Sequence, residues 1–89
     1  MNELKRLIET CRKYKEGELS LIDFQHILEN IYLPSDYKYT LEKQQHNAVN
    51  QLEKIYYFYP ASEYKQHADR VADMLIAAAL GGIKQMKNK

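Results

Sequence analysis

Eighty-nine residues, 45% apolar and 28% charged with a formal net charge of +1, make one ordinary globular domain with a single modest core. Three glycines and two prolines are too few for the turns of a β-sandwich or barrel. No run approaches the ~20 apolar residues of a membrane span, and near-neutral charge excludes a protein that coats nucleic acid. The N-terminus is amphipathic rather than a signal peptide, so cytoplasmic residence is expected. Cys11 has no disulfide partner and lies on an apolar stripe, so it reads as a plain buried thiol.

Four helices follow in chain order. Over residues 2–15, Leu4, Leu7, Ile8, Cys11 and Tyr14 recur at three- and four-residue steps and share one helix face. Lys5, Arg6, Arg12 and Lys13 take the opposite face, and Gly17 is placed to end the helix. Ser20 and Asp23 resemble a capping box, which starts a second helix over 21–32 with Leu21, Phe24, Ile27, Leu28 and Ile31 inward and Pro34 as its stop. Thr40 caps a third helix over 41–58, whose inner face is Leu41, Ala48, Val49, Leu52, Ile55 and Tyr56. Pro60 closes it, because the residue before a proline is driven out of helical geometry. Ser62 caps a fourth helix over 63–80 with a broad arc of Tyr64, Ala68, Val71, Ala72, Leu75, Ala78 and Ala79. An arc that wide and rich in Ala predicts contact with two neighbours and the most buried position. Gly81-Gly82 should end it, leaving 83–89 as a frayed basic tail. Amphipathic helices with short links give an all-α, antiparallel four-helix bundle.

Catalytic and metal constellations are absent from this pattern. Glu42/His46 and Glu63/His67 share helix faces at a spacing of four, whereas bundle metal sites pair Glu and His at three and recruit further Glu residues. No Gly-rich phosphate loop, Ser/His/Asp set or paired-Cys motif occurs, and the glycines are explained as helix stops. The chain is therefore expected to be no enzyme and to need no cofactor or metal.

The segregation of acid is more informative. Five of the twelve acidic residues fall within Glu16–Asp36, without one Lys or Arg among them. On the second helix Ile22 projects onto the arc of Gln25, His26 and Glu29, away from Phe24 and Ile27. Ile22 is either a staple for the preceding loop or the apolar centre of an acidic patch rimmed by Glu18, Asp23 and Glu29, with Asp36 nearby. Acidic rims steer basic partners. Most of the eight Tyr and two Phe fall at inner positions or in the 34–39 connection. Tyr57 instead lies on the polar side of the third helix among His46, Asn50 and Glu53, as a partner anchor or as packing under that connection.

The pattern Tyr14-x-x-Gly17-x-x-Ser20-x-x-Asp23-Phe24-x-x-x-Leu28, followed by Asn50-Gln-Leu52 and a Tyr/Phe-rich helix end, resembles small bacterial toxin-immunity proteins. The nearest type is the colicin D immunity-like group, including immunity proteins of contact-dependent growth inhibition systems. The resemblance extends over most of the chain, at the level of helix pattern and length. It implies a cytoplasmic four-helix protein that binds a toxic nuclease domain and occludes its catalytic cleft. Acidic residues then meet a basic, RNA-binding cleft, here through Asp23 and Glu29 with Glu18 and Asp36 nearby, although that group suits a more acidic chain than this one. The expected partner surface is Glu18, Ile22, Asp23, His26, Glu29, Asp36 and Tyr57, on a monomer that touches neither nucleic acid nor membrane. The alternative is a structural or regulatory bundle that self-associates through the Tyr-rich end of the third helix. A weaker one is a nucleic-acid accessory acting through Lys5, Arg6, Arg12 and Lys13.

Overall fold

The computed structural model describes residues 3–33 and 40–87, with side chains as far as Gly81. Helices α1 (Glu3–Lys15), α2 (Leu21–Glu29), α3 (Leu41–Phe58) and α4 (Tyr64–Lys87) form an antiparallel four-helix bundle, and no strand occurs among the described residues. Each helix packs on the next, and α4 closes the square by packing on α1 as firmly as on α3. The cross-section of 22 × 19 Å is that of two helices by two, each ~10 Å wide.

The apolar stripes meet where their periods place them. Leu4, Leu7, Cys11, Phe24, Leu28, Leu52, Ala68, Ala72, Leu75 and Ala79 are fully enclosed or nearly so. Tyr14 stacks on Phe24 with ring centroids 4.6 Å apart, tying α1 to α2, and the Lys65 ammonium lies 5.4 Å from the Tyr14 ring centre. Burial raises the Tyr14 hydroxyl pKa, with Asp69 adding to it. Burial likewise pushes the Cys11 thiol up to about 12, with Asp73 adding to it and Lys15 opposing. The Lys15 ammonium bonds Asp73 across α1 and α4, which raises its own pKa.

Helix ends explain the boundaries. Gly17, at φ +84°, lets the Glu18 N–H reach the Lys13 carbonyl (2.9 Å) and its own N–H reach that of Tyr14 (3.0 Å), the Schellman arrangement that ends α1. The Ser20 hydroxyl accepts from the Asp23 N–H (3.1 Å), so α2 starts at Leu21. At Tyr59 the backbone turns extended ahead of Pro60, which ends α3 as proline geometry requires. Side chains from other helices take some of the remaining carbonyls. Lys65 donates to Lys15 O (2.7 Å), the Tyr64 hydroxyl to Tyr56 O (2.9 Å), and Gln45 Nε2 to Leu28 O (2.6 Å) and Ile31 O (2.7 Å).

Several expectations need correction. The second helix stops at Glu29 rather than at 32, because the Asn30 side chain takes the His26 carbonyl (2.8 Å) and Gln45 takes those of Leu28 and Ile31. Pro34 lies outside the described residues. Helix α4 starts at Tyr64, after a 3-10 turn over Ala61–Glu63 that opens on the Pro60 carbonyl, so Ser62 sits inside the turn rather than at a cap. It also runs through Gly81-Gly82 to Lys87, where a tail was expected over 83–89. Glycine in a helix costs only about 1 kcal/mol, and Ala79, Ile83 and Met86 continue the helical step. Nor is α4 the most buried helix among the described residues: six of the thirteen residues of α1 are buried, while Met74 and Leu80 of α4 stay exposed.

Candidate functional site

Helix α2 is only nine residues long and α3 is eighteen. At ~1.5 Å per residue, the first half of α3 outruns its neighbour. The gap is a cleft of about 290 Å³. Leu28 from α2, Leu33 from the chain beyond it and Val49 from α3 supply apolar walls. Glu29, Glu42, His46 and Asn50 supply its polar margin, and Tyr32 stands beside them with its ring exposed.

Gln45 belongs to the same wall and is only 4% exposed. Both protons used by its amide go to the end of α2, and among the described residues no donor reaches Oε1, which is itself covered. A buried acceptor without a partner is uncommon and marks a site to explain. Glu42 and His46 are loosely paired at 3.9 Å, and Gln25 Nε2 donates to Glu29 at 3.4 Å. No lysine or arginine is among the described residues that line the cleft.

The residues predicted from sequence are distributed along this side. Ile22 is 53% exposed and so stands out of the core, with Asp23 and His26 also exposed on α2. Asp23 occupies the first turn of α2, where a carboxylate is favoured by the helix dipole. Glu29 is the member that the fold brings to the cleft. Glu18 is exposed in the turn between α1 and α2, and Asp36 lies outside the described residues.

Tyr57 is 71% exposed and lines a shallow depression with Asn50, Glu53, Lys54 and Phe58. Asn50 contributes to both depression and cleft, so Glu42, His46, Asn50, Glu53 and Tyr57 form one outward stripe along α3. The inward placing of Tyr56 needs correction, and Tyr37 and Tyr39 of the 34–39 connection lie outside the described residues. Among the described aromatic side chains, only Tyr14 and Phe24 are buried; Tyr56, Tyr57, Phe58 and Tyr59 all reach the surface. Three consecutive helical residues at 3.6 per turn point in three directions, Ile55 already fills the inward one, and Tyr59 lies past the helix end.

Sequence reasoning missed Gln45, Glu42, Val49 and Asn50 as members of a site. Their signal was a break in the stripe. Between Leu41 and Ala48 a core position falls at residue 45, and the side chain there is polar. Among the described residues no three His, Cys, Asp or Glu gather in a way that could hold a metal ion, and no helix is long and apolar enough to cross a membrane.

The fold is thus an all-α bundle whose α2 surface bears Asp23 and Glu29 beside the exposed Ile22. Comparison with protein-family profiles, with curated proteins and with solved structures finds no match to this chain.

Proposed function

We propose that this protein is a stoichiometric inhibitor, of the toxin-immunity kind, that binds a basic partner through the α2–α3 side and occludes its active site. The observation that carries this is an α2 surface bearing Asp23, Glu29 and no basic residue but His26, with Ile22 exposed at its centre. Such a surface attracts a basic cleft at long range and adds apolar contact on docking. The sequence pattern resembling colicin D immunity-like proteins supports the same function, with a cytoplasmic monomer facing a nuclease domain. Glu18 and Asp36 extend the acidic rim in this proposal, and Tyr57 anchors it from α3.

The test is protection from a candidate toxin domain, sought in the proteins encoded beside this gene, with thermal melts in parallel. Glu29→Lys should melt within the few tenths of a kcal/mol usual for surface changes, yet slow association in a way that fades as salt is raised. Ile22→Ala should instead speed dissociation with little salt dependence, because it removes apolar contact and no charge. If both variants protect like the parent chain, this side is ordinary solvated surface.

A second function is favoured by one observation, the exposure of Tyr57 and Phe58 beside Tyr56 and Tyr59. Aromatic side chains crowded at one helix end suit self-association. Sedimentation separates the two: a dimer that forms with concentration and dissociates in Tyr57→Ser/Phe58→Ser supports self-association, and a monomer at all concentrations refutes it.

A further inference from the structure

We infer that the cleft between the end of α2 and the first half of α3 is a socket for one arginine side chain presented by the basic protein partner. This rests on the inhibitor function proposed above and names how that surface is engaged. At about 290 Å³ the cleft holds roughly ten times the ~30 Å³ share of a single water. It falls at the lower edge of the ~300–1,000 Å³ of small-molecule sites. That size suits one long side chain. Leu33 and Val49, both half-buried, offer apolar walls to a methylene stem, with Leu28 enclosed behind them.

The margin selects the head group. Glu29 approaches from α2 and Glu42 from α3, with no lysine or arginine among the described lining residues to neutralise them. A guanidinium carries five donors in a planar fork and is weakly hydrated, so it can serve two carboxylates from different helices while its stem is covered. An ammonium is a compact, strongly hydrated charge and loses more on entering such a cleft. Gln45 adds a third acceptor in the same wall. Its Oε1 is buried and finds no donor among the described residues, so the wall keeps an unused acceptor close behind the two carboxylates.

The experiment uses the whole protein and N-acetyl-L-arginine methylamide as the probe, followed by NMR, with the citrulline and lysine counterparts as controls. The arginine probe should give saturable shifts, with a Kd on the order of millimolar for so small a group. They should be confined to the methyl groups of Leu28, Leu33 and Val49 and the side-chain amide of Gln45. Citrulline has the same shape without the charge and should leave these signals in place; lysine should move them less. Glu42→Gln and Glu29→Gln, which keep the cleft's shape, should each weaken the arginine probe about fivefold. Diffuse shifts, equal shifts from citrulline or lysine, or undiminished binding by both variants would overturn the socket. The two proposals fail separately. Arginine bound in the cleft of a protein that protects against no toxin leaves the socket and removes the inhibitor; protection lost in Glu29→Lys without arginine binding does the reverse.

Discussion

Replacing Gln45 tests the fold at its least conventional point. The side chain donates to Leu28 O at 2.6 Å and to Ile31 O at 2.7 Å. In Gln45→Met, which keeps the volume, two buried carbonyls lose a donor. Each such loss costs about 1–3 kcal/mol, though Leu28 O keeps the Ile31 N–H at 3.4 Å. Removing Oε1, which has no donor among the described residues, returns a comparable amount for one polar atom. The net cost is therefore about 1–3 kcal/mol, or roughly 5–20 °C in Tm for a domain of this size. Gln45→Glu should be worse at neutral pH, because a carboxylate donates nothing and faces two carbonyls. Burial holds its folded pKa above the unfolded value, so this variant, relative to the parent chain, loses stability as pH rises and recovers it on acidification. Thermal melts from pH 5 to 7 and amide exchange at Asn30 and Ile31 measure both effects. A Met variant that melts within about 2 °C of the parent, with unchanged protection at Ile31, would refute the role assigned to Gln45.

Two further outcomes follow from the core. Leu75, fully enclosed between α4 and its neighbours, should cost roughly 2–5 kcal/mol on change to Ala; a loss below about 1 kcal/mol by denaturant titration would mean that the inner face of α4 is misassigned. The Cys11 thiol, enclosed and with its pKa pushed up to about 12 from 9.0, should resist alkylation at pH 8 in the native state and react only as the chain unfolds. Because the raised pKa keeps the folded thiol protonated while the unfolded one ionises, its contribution to stability is whole below pH 9 and drains away between 9 and about 12. In denaturant titrations the stability gap between the parent chain and Cys11→Ala should be constant below pH 9 and change only in that window, as the parent loses stability relative to the variant.

The stripes of α1 and α4, the Schellman end at Gly17 and the cap at Ser20 could be read from sequence because each depends on neighbours within one turn. Features that depend on another helix could not. The end of α2 is set by Asn30 acting locally but also by Gln45, seventeen residues from Leu28, and nothing near Glu29 announces that. Gly17 and Gly81 look alike as letters, yet only Gly17 adopts positive φ; the apolar step past Gly81 was the distinguishing sign. Exposure of Ile22 was legible, since helical projection alone turns it outward. The cleft was not. It arises from unequal lengths of α2 and α3, and so could not be seen before α2 was known to stop at Glu29.

The cross-helix bonds that finish α1, α2 and α3 have a direction. Lys65 serves Lys15, Gln45 serves Leu28 and Ile31, and Tyr64 serves Tyr56; every donor lies later in the chain than its acceptor. A polypeptide leaving the ribosome therefore exposes the carbonyls of α1 while its partner some fifty residues downstream (Lys65 to Lys15) is still unmade. The end of α1 rests until then on its Gly17 turn alone, and the Lys65 bond is added only when the first turn of α4 has emerged. A chain arrested before Tyr64 lacks the donors that Lys65 and Tyr64 supply to the ends of α1 and α3.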